Sequence, residues 1–247
     1  MSRTLRGGII GIVAITAAWW ALSLCIPGGF LPSPAAVVPR MIFLLPRSLL
    51  VHIGASLGRI GVALGIAIVT AVPAGIAIGR SKTLDRLFSP IAYLLYPVPK
   101  IALLPLIMLL FGLGNVSKVL IVFLVLFFQV LVATRDAAHQ VPAQYLLSLR
   151  SLGGTRLQAA RYVLLPALLP SLLSSLRIGT GTALAVLFFA ETFGTRKGLG
   201  WFVMESWMRM SYVDMFAGIL CLGIVGLGIF LAIDALYRRL CRWNRST

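Results

Sequence analysis

The long apolar segments of this 247-residue chain carry charged side chains within them or at their ends. Among these are three cations and one carboxylate: Arg59, Lys100, Arg177 and Glu191. A charge at membrane depth is costly, so such a side chain faces a polar cavity or finds a partner. Glu191 follows Arg177 by about 21 Å along one helix, too far for a direct pair. Two interpretations stay open: the cations favour an anionic solute, or they snorkel, bond to carbonyl groups or pair with Glu191 or Asp214.

The other reactive residue types are too scattered to predict a catalytic or metal centre. The six Asp and Glu residues are isolated from one another, and Cys25, Cys221 and Cys241 lack metal-ligand spacing. His52 and His139 have no second ligand cluster nearby. No Gly-x-x-x-x-Gly-Lys-Ser/Thr loop is present, so the chain does not bind ATP in the P-loop manner. We therefore expect no catalytic residue, metal or cofactor; a membrane-bound enzyme assembled from distant residues is an alternative.

The composition is typical of a protein embedded in a lipid bilayer. Hydrophobic residues make up 60% of the chain and charged residues 11%, and the mean hydropathy is +1.00. The net charge of +16 would suggest nucleic acid in a soluble protein. Here the basic residues cluster between apolar runs, and no nucleic-acid-binding motif accompanies them. We therefore predict an integral membrane protein that contacts lipid and does not bind nucleic acid.

Six apolar runs have the length of roughly 20 residues that a membrane-spanning helix needs. They cover residues 7–26, 58–79, 87–110, 119–134, 164–190 and 215–236. Thirteen of the 22 Lys and Arg residues fall in the loops on one side and six on the other, which predicts that both termini are cytoplasmic. The external stretch 27–57 carries five prolines, so we expect a turn and short interfacial helices there.

The third predicted span is interrupted by prolines on both sides of a lysine. Such interruptions survive at membrane depth where the backbone is buried in protein or lines a cavity. The pattern indicates a cavity wall, although proline kinks also serve ordinary packing. Our predicted translocation path therefore combines these residues with the charges above: Arg59, Pro97, Pro99, Lys100, Pro105, Arg177 and Glu191.

A long internal loop, residues 135–165, predicts two short helices joined by a tight turn. Residues 143–152 read as a helix that ends at Gly153 and Gly154, because glycine readily adopts the left-handed conformation that stops a helix. Thr155 and Gln158 then form a capping box for the second helix. This hairpin is either an amphipathic element that binds anionic lipid head groups or a docking element for a cytoplasmic partner.

Several motifs, in this order and spacing, resemble those of binding-protein-dependent ABC importer permeases of the nitrate, sulfonate, taurine and thiamin-precursor type. The motif LRSLG at 149–153, followed by VLLP at 163–166, resembles their EAA loop. The other matching motifs are LPSP (31–34), SLGR (56–59), PVPKIALLPL (97–106), FGLG (111–114), SSLRIG (174–179), AE (190–191) and GLG (198–200). One departure is clear: Leu147-Ser-Leu149 stands where the loop usually carries Glu-Ala-Ala.

The resemblance implies an all-α integral membrane fold of the type I importer class, with about six transmembrane helices and a cytoplasmic coupling-helix hairpin. It implies one permease domain over residues 1–247, with 135–165 as the coupling loop, in the bacterial inner membrane. The implied partners are an ATP-binding-cassette ATPase dimer that binds ATP and Mg²⁺, a second permease copy forming a homodimer, and an extracytoplasmic substrate-binding protein. The implied cargo is a small anion or a heterocyclic precursor.

By the same resemblance, the coupling loop presents a defined set of residues to the ATPase. These residues are Leu147, Leu149, Arg150, Leu152, Gly153, Gly154, Arg156, Arg161 and Pro166. Because the usual acidic contact is missing, Leu147 and Leu149 would supply an apolar contact in its place. A stand-alone secondary transporter is the alternative function, since broken helices and buried charges occur there too, but we find no internal repeat of the kind such proteins usually show.

Overall fold

The computed structural model describes residues 3–244, and within this range the side chains of residues 3–6, Ile9, Pro27, Arg156 and Asn244 lie outside the described part. Within 3–244 the chain is helical with connecting turns and contains no strand, which confirms the all-α prediction. Eleven α-helices form this part of the chain. They are α1 (Arg3–Cys25), α2 (Pro34–Leu44), α3 (Leu50–Arg80), α4 (Lys82–Leu95), α5 (Leu104–Phe111), α6 (Asn115–Gln140), α7 (Ala143–Ser151), α8 (Arg156–Ala159), α9 (Leu165–Glu191), α10 (Leu199–Met208) and α11 (Tyr212–Leu240).

The expected count of six spans is not exact. Four helical segments are long and apolar enough to cross a membrane: Pro34–Arg80, Asn115–Gln140, Leu157–Glu191 and Tyr212–Leu240. A fifth is obtained if Lys82–Leu95 and Lys100–Phe111 count as one broken span, which bends by 82°. The first predicted span lies in α1 (Arg3–Cys25), within which the described part Ile10–Cys25 is apolar. The count from apolar runs differs from the structure at the broken span, because hydropathy takes no account of the bend.

The chain divides into two compact units, and the first contains residues up to Ser56 together with Thr195–Val225. Its core packs Leu49 of a π-helical turn (Leu45–Leu49) against Leu199, Phe202 and Cys221. The prediction that prolines break 27–57 into short pieces is wrong from Pro34 onward, because the chain is helical from there to Arg80. Pro34 occupies the first turn, where a missing N–H costs nothing, and the wider π turn accommodates Pro46.

The second unit contains Leu57–Gly194 and the chain from Gly226 onward. Helices α6 and α9 form its most extensive pairing, around a core that includes Ile121, Leu126 and Leu187. Helix α3 approaches α6 closely at Gly79, where an added Cβ would lie 2.4 Å from the carbonyl oxygen of Arg135. This unit holds the internal hairpin, the buried charges and the broken span.

Candidate functional site

The internal hairpin has the predicted form of helix, glycine turn and helix. Helix α7 ends at Ser151, and Gly153 follows with φ +76°, the left-handed conformation that glycine tolerates. The amides of Gly153 and Gly154 donate to the carbonyls of Arg150 and Leu149, each at 2.9 Å. A Cβ on Gly154 would lie 2.8 Å from the Leu149 carbonyl oxygen. Both glycines are therefore required by the geometry of this turn.

The second helix of the hairpin begins with the predicted capping box. The Thr155 amide donates to Gln158 Oε1 at 2.7 Å, and the Gln158 amide donates to Thr155 Oγ1 at 3.2 Å. The helix then continues through a π turn, Ala160–Leu164, directly into α9. Pro166 lies in the first turn of α9, where the π turn precedes it. One continuous helical segment, Leu157–Glu191, therefore joins the hairpin to a membrane span.

The hairpin is attached to the rest of the second unit at its base. Leu146 packs on a buried cluster that includes Ala138, Val141 and Leu164. The Arg80 Nη1 donates to the carbonyls of Ala138 and Val141, at 3.3 and 2.9 Å. These contacts hold the base of the hairpin against the end of α3 that is predicted to face the cytoplasm.

The tip of the hairpin carries apolar side chains that the chain itself leaves uncovered. Leu147 is 59% exposed and Leu152 is 85% exposed. Arg150 and Arg161 are also exposed, whereas Leu149 is half-buried under Gly154. Exposed leucines flanked by arginines form a surface that is suited to a protein partner.

Arg59 and Glu191, both predicted for the translocation path, form a buried ion pair. The Arg59 Nη1 to Glu191 Oε1 distance is 2.6 Å, and the two side chains are 6% and 1% exposed. The same guanidinium donates to Asn115 Oδ1 from Nε and Nη2, at 3.0 and 2.8 Å. Lys118, also fully buried, donates to the carbonyls of Leu113 and Gly114. This cluster joins the ends of α6 and α9 to α3, which favours a structural role for Arg59.

Arg177 has a different acidic partner from those that the sequence suggested. Its Nη1 lies 3.7 Å from Asp234 Oδ1, and its guanidinium carbon lies 5.4 Å from the centroid of the Phe230 ring. Asp234 also accepts from Arg238 at 2.6 Å. The other proposed partner, Asp214, pairs with Arg40 at 2.6 Å in the first unit.

The broken span surrounds Lys100 and borders two cavities of the second unit. Pro99 and Lys100 line a cavity of about 430 Å³, and Pro97 lines a second of about 440 Å³. Pro105 lies in the first turn of α5 and lines neither cavity. The residues predicted for the translocation path are therefore not brought together at one point. Arg59 and Glu191 form a buried pair, Arg177 belongs to a half-exposed pair, and Lys100 lines a cavity.

The chain from residue 67 to 246 matches the family described as "Binding-protein-dependent transport system inner membrane component". The chain belongs to this family. Membership identifies it as the permease subunit of an ABC importer, and implies a separate ATPase and a binding protein as its partners.

Several curated relatives cover most of this permease. It is 32% identical to the taurine transport system permease protein TauC of Escherichia coli (strain K12), over 99% of the permease and 92% of TauC. It is 31% identical to the putative aliphatic sulfonates transport permease protein SsuC of Bacillus subtilis (strain 168), over 87% and 79%. The nitrate import permease protein NrtB of Synechocystis is 27% identical, over 87% and 82%.

A solved structure shows the same fold. The permease aligns with a chain of the inward-facing MetNI methionine ABC transporter at a TM-score of 0.62 and 21% identity, over 81% of the permease and 98% of that chain. These relatives are transport permeases rather than catalysts, in agreement with the absence of a predicted catalytic residue. None of these comparisons favours a stand-alone secondary transporter.

Sequence reasoning missed two residues of the permease that partner Arg59 and Arg177. Asn115 accepts from Arg59, and Asp234 faces Arg177. A signal for Asp234 was available, because a carboxylate within the last predicted span needs a cation in the same way that Arg177 needs an anion. Asn115 gave no comparable signal, since an uncharged residue after a glycine-rich motif also suits a helix start.

Proposed function

We propose that two copies of this permease form the translocation path for a small anion, driven by two ATPase subunits that contact the hairpin of residues 143–165. The single observation that carries this proposal is the capped hairpin, which exposes Leu147 and Leu152 and continues as one helix into α9. In this proposal the ATPase subunits bind ATP and Mg²⁺, and the permease binds neither. Both termini lie in the cytoplasm, and lipid surrounds the apolar helices.

The helical connection supplies the mechanical step. When the ATPase subunits close on ATP, they displace the hairpin, and the displacement reaches α9 because no flexible loop separates the two. The ATPase biases the permease only if it contacts the hairpin differently in the inward-facing and outward-facing states. Leu147 replaces the usual acidic contact with an apolar one, so the coupling contact should depend little on salt concentration.

The proposal for the substrate rests on the names of the relatives. Taurine, aliphatic sulfonates and nitrate, named for three of them, each carry an oxyanion group that is the conjugate base of a strong acid and stays charged at neutral pH, although taurine also carries an ammonium group. The permease itself has 22 basic and six acidic residues. A binding protein on the outer side delivers the anion, and we propose a sulfonate such as taurine as the first substrate to test.

The test is ATP hydrolysis by the transporter reconstituted in lipid, with taurine-loaded binding protein added or withheld. Gly153→Val forces a β-branched residue to φ +76° in the hairpin turn. Gly112→Val is a stringent control, because it forces the same residue to φ +77° and ψ 178° elsewhere in the chain, and both positions have open space. We expect loaded binding protein to stimulate hydrolysis in the wild type and in Gly112→Val. The stimulation of ATP hydrolysis by loaded binding protein should fall about tenfold in Gly153→Val, because the distorted turn changes the contact between the hairpin and the ATPase.

If loaded binding protein does not change the rate of ATP hydrolysis by the wild type, the importer assignment is contradicted. Equal stimulation in both glycine variants would contradict the assignment of the hairpin as the coupling element. Folding of each variant is checked by gel filtration of the assembled transporter, so that loss of the complex is not mistaken for loss of coupling.

A further inference from the structure

The cavity beside Lys100 is enclosed by three segments of the second unit. The break between α4 and α5 contributes Tyr96 and Lys100, α6 contributes Phe128 and Gln129, and α9 contributes Thr182. Its volume of about 430 Å³ is in the range of small-ligand sites. None of the described residues that line it is acidic. The cavity thus combines one cation, two aromatic rings and two neutral polar side chains.

The lysine ammonium is held at the cavity wall by the end of helix α4. Lys100 Nζ donates to the carbonyls of Leu95 and Tyr96, the last turn of that helix, where the helix dipole favours a cation. The same nitrogen lies 5.1 Å from the ring centroid of Phe128 and 5.5 Å from that of Tyr96. An ammonium has three N–H groups, and these two carbonyls occupy two of them. The positive charge is therefore fixed in position while it still has capacity for an anion.

One face of α6 connects this cavity to the second one. Phe128 and Gln129 line the Lys100 cavity, and Val132 and Arg135 line the other. Their spacing of three and four residues places all four on one side of the helix. Tyr96 also borders both cavities, which places it where the two lie next to each other. Arg135 is already paired with Asp85 and Asp136, each at 2.7 Å, which makes Lys100 the better candidate for a mobile anion.

We propose that the Lys100 cavity is an anion-binding site within the permease, selective for a small organic sulfonate over a cation or an uncharged solute. Lys100 supplies the charge, Gln129 and Thr182 offer hydrogen-bonding groups, and the rings of Tyr96 and Phe128 contact the short carbon chain. A ligand that moves from one cavity to the other passes Tyr96. This assignment deepens the proposed function and rests on it, because it places the substrate anion at a specific point on the path.

A lysine suits a permeation site better than an arginine would. An ammonium is a compact charge that attracts an oxyanion without requiring the paired geometry that a guanidinium imposes. A ligand held by one such charge binds weakly enough to leave, as conduction through a path requires. The site therefore discriminates mainly by charge, and we expect it to accept several sulfonates.

The direct test measures how fast charged thiol reagents reach the cavity of the assembled transporter. Thr182→Cys is introduced into a chain whose native cysteines, Cys25, Cys221 and Cys241, are replaced by alanine. The probes are methanethiosulfonate ethylsulfonate, itself a small alkylsulfonate, and its trimethylammonium counterpart. When each rate is divided by the rate of the same reagent with a small free thiol, we expect the sulfonate reagent to react about tenfold faster than the cation, as one fixed charge a few ångströms away predicts.

Matched variants separate the charge from the fold. Lys100→Met should remove the preference for the sulfonate reagent, and Lys100→Arg should retain it. Lys82→Met, the same substitution at an exposed lysine of α4, should leave the preference unchanged. Equal rates for both reagents, a preference that survives Lys100→Met, or a cysteine at 182 that neither reagent reaches would each overturn the proposal.

Transport provides the second measurement and separates this proposal from the one on which it rests. Taurine uptake into proteoliposomes should fall about tenfold in Lys100→Met and recover in Lys100→Arg. If wild-type hydrolysis responds to loaded binding protein and uptake is unaffected by Lys100→Met, the site is wrong while the importer stands. If the wild type shows no such response, the proposed function fails, whereas the thiol-reagent preference still reports the charge of the cavity.

Discussion

The hairpin at residues 143–165 and the buried pair of Arg59 and Glu191, which Asn115 completes as a cluster, differ in how they are held together, although the hairpin and the pair were both predicted to be functional. The hairpin forms its turn and cap from neighbours in sequence and exposes its leucines. The cluster joins residues up to 132 positions apart and is almost fully buried. An uncovered apolar tip is suited to contact with a partner, whereas a satisfied ion pair already has its contacts. The comparison indicates that intramembrane charge alone does not mark the transport path.

Breaking the buried pair should produce the largest loss of stability. Arg59→Met leaves Glu191 as a buried charge without its guanidinium partner, and we expect a loss of about 3 to 5 kcal/mol in the free energy of unfolding. The double variant Arg59→Met with Glu191→Leu should recover most of that loss, because both charges of the pair are then removed together. Denaturant unfolding in detergent measures both.

The pair of Arg40 and Asp214 is the more solvent-accessible control for this prediction, since the two side chains are 42% and 15% exposed. Water reaches the Arg40 guanidinium, so Arg40→Met should cost about 1 kcal/mol. An equal cost for Arg59→Met and Arg40→Met would contradict the structural role assigned to the buried cluster.

Removing the hairpin cap should have an intermediate and local effect. Thr155→Ala deletes the oxygen that accepts from the Gln158 amide, and we expect a loss of about 1 kcal/mol in the stability of that turn. Thr155→Ser keeps the oxygen and should behave like the wild type. Hydrogen exchange of the amides of residues 155–158 measures the local opening; unchanged exchange in Thr155→Ala would show that the cap does not hold the turn.

Trimming the exposed leucines should have the smallest effect on stability and a clear effect on coupling. Leu147→Ala and Leu152→Ala should each change the unfolding free energy by less than about 0.5 kcal/mol, because the side chains are exposed. Leu164→Ala, at a side chain only 7% exposed, should cost about 2 kcal/mol or more. Stimulation of ATP hydrolysis by loaded binding protein should fall in the exposed-leucine variants, and unchanged stimulation would remove the reason for assigning them to a partner.

The sequence predicted the hairpin in detail because its structure is determined by local interactions. A glycine with positive φ and a Thr-x-x-Gln cap act over a few residues, so their pattern is visible in the chain. The all-α membrane fold could also be predicted from the sequence, because the segments that cross lipid appear as long apolar runs. The coupling role of the loop residues stays a prediction, as does the single-domain organisation of residues 1–247.

The remaining features depend on contacts that one sequence does not reveal. The pairing of Arg177 with Asp234 and of Arg59 with Glu191 requires knowing which helices are neighbours. The continuous helix Pro34–Arg80 was missed because proline was read as a break, while a first-turn position and a π turn tolerate it. The six-span count failed at the 82° bend for a related reason: hydropathy records composition and not direction.

The most direct test of the central claim is a photo-cross-link from the hairpin to the ATPase in the assembled transporter. A p-benzoylphenylalanine in place of Leu152, which is 85% exposed, is compared with one in place of Met210, which is 76% exposed and predicted to lie on the external side. The account predicts an adduct of permease and ATPase from position 152 and none from position 210. An adduct from position 210, or none from position 152 in an intact complex, would contradict it.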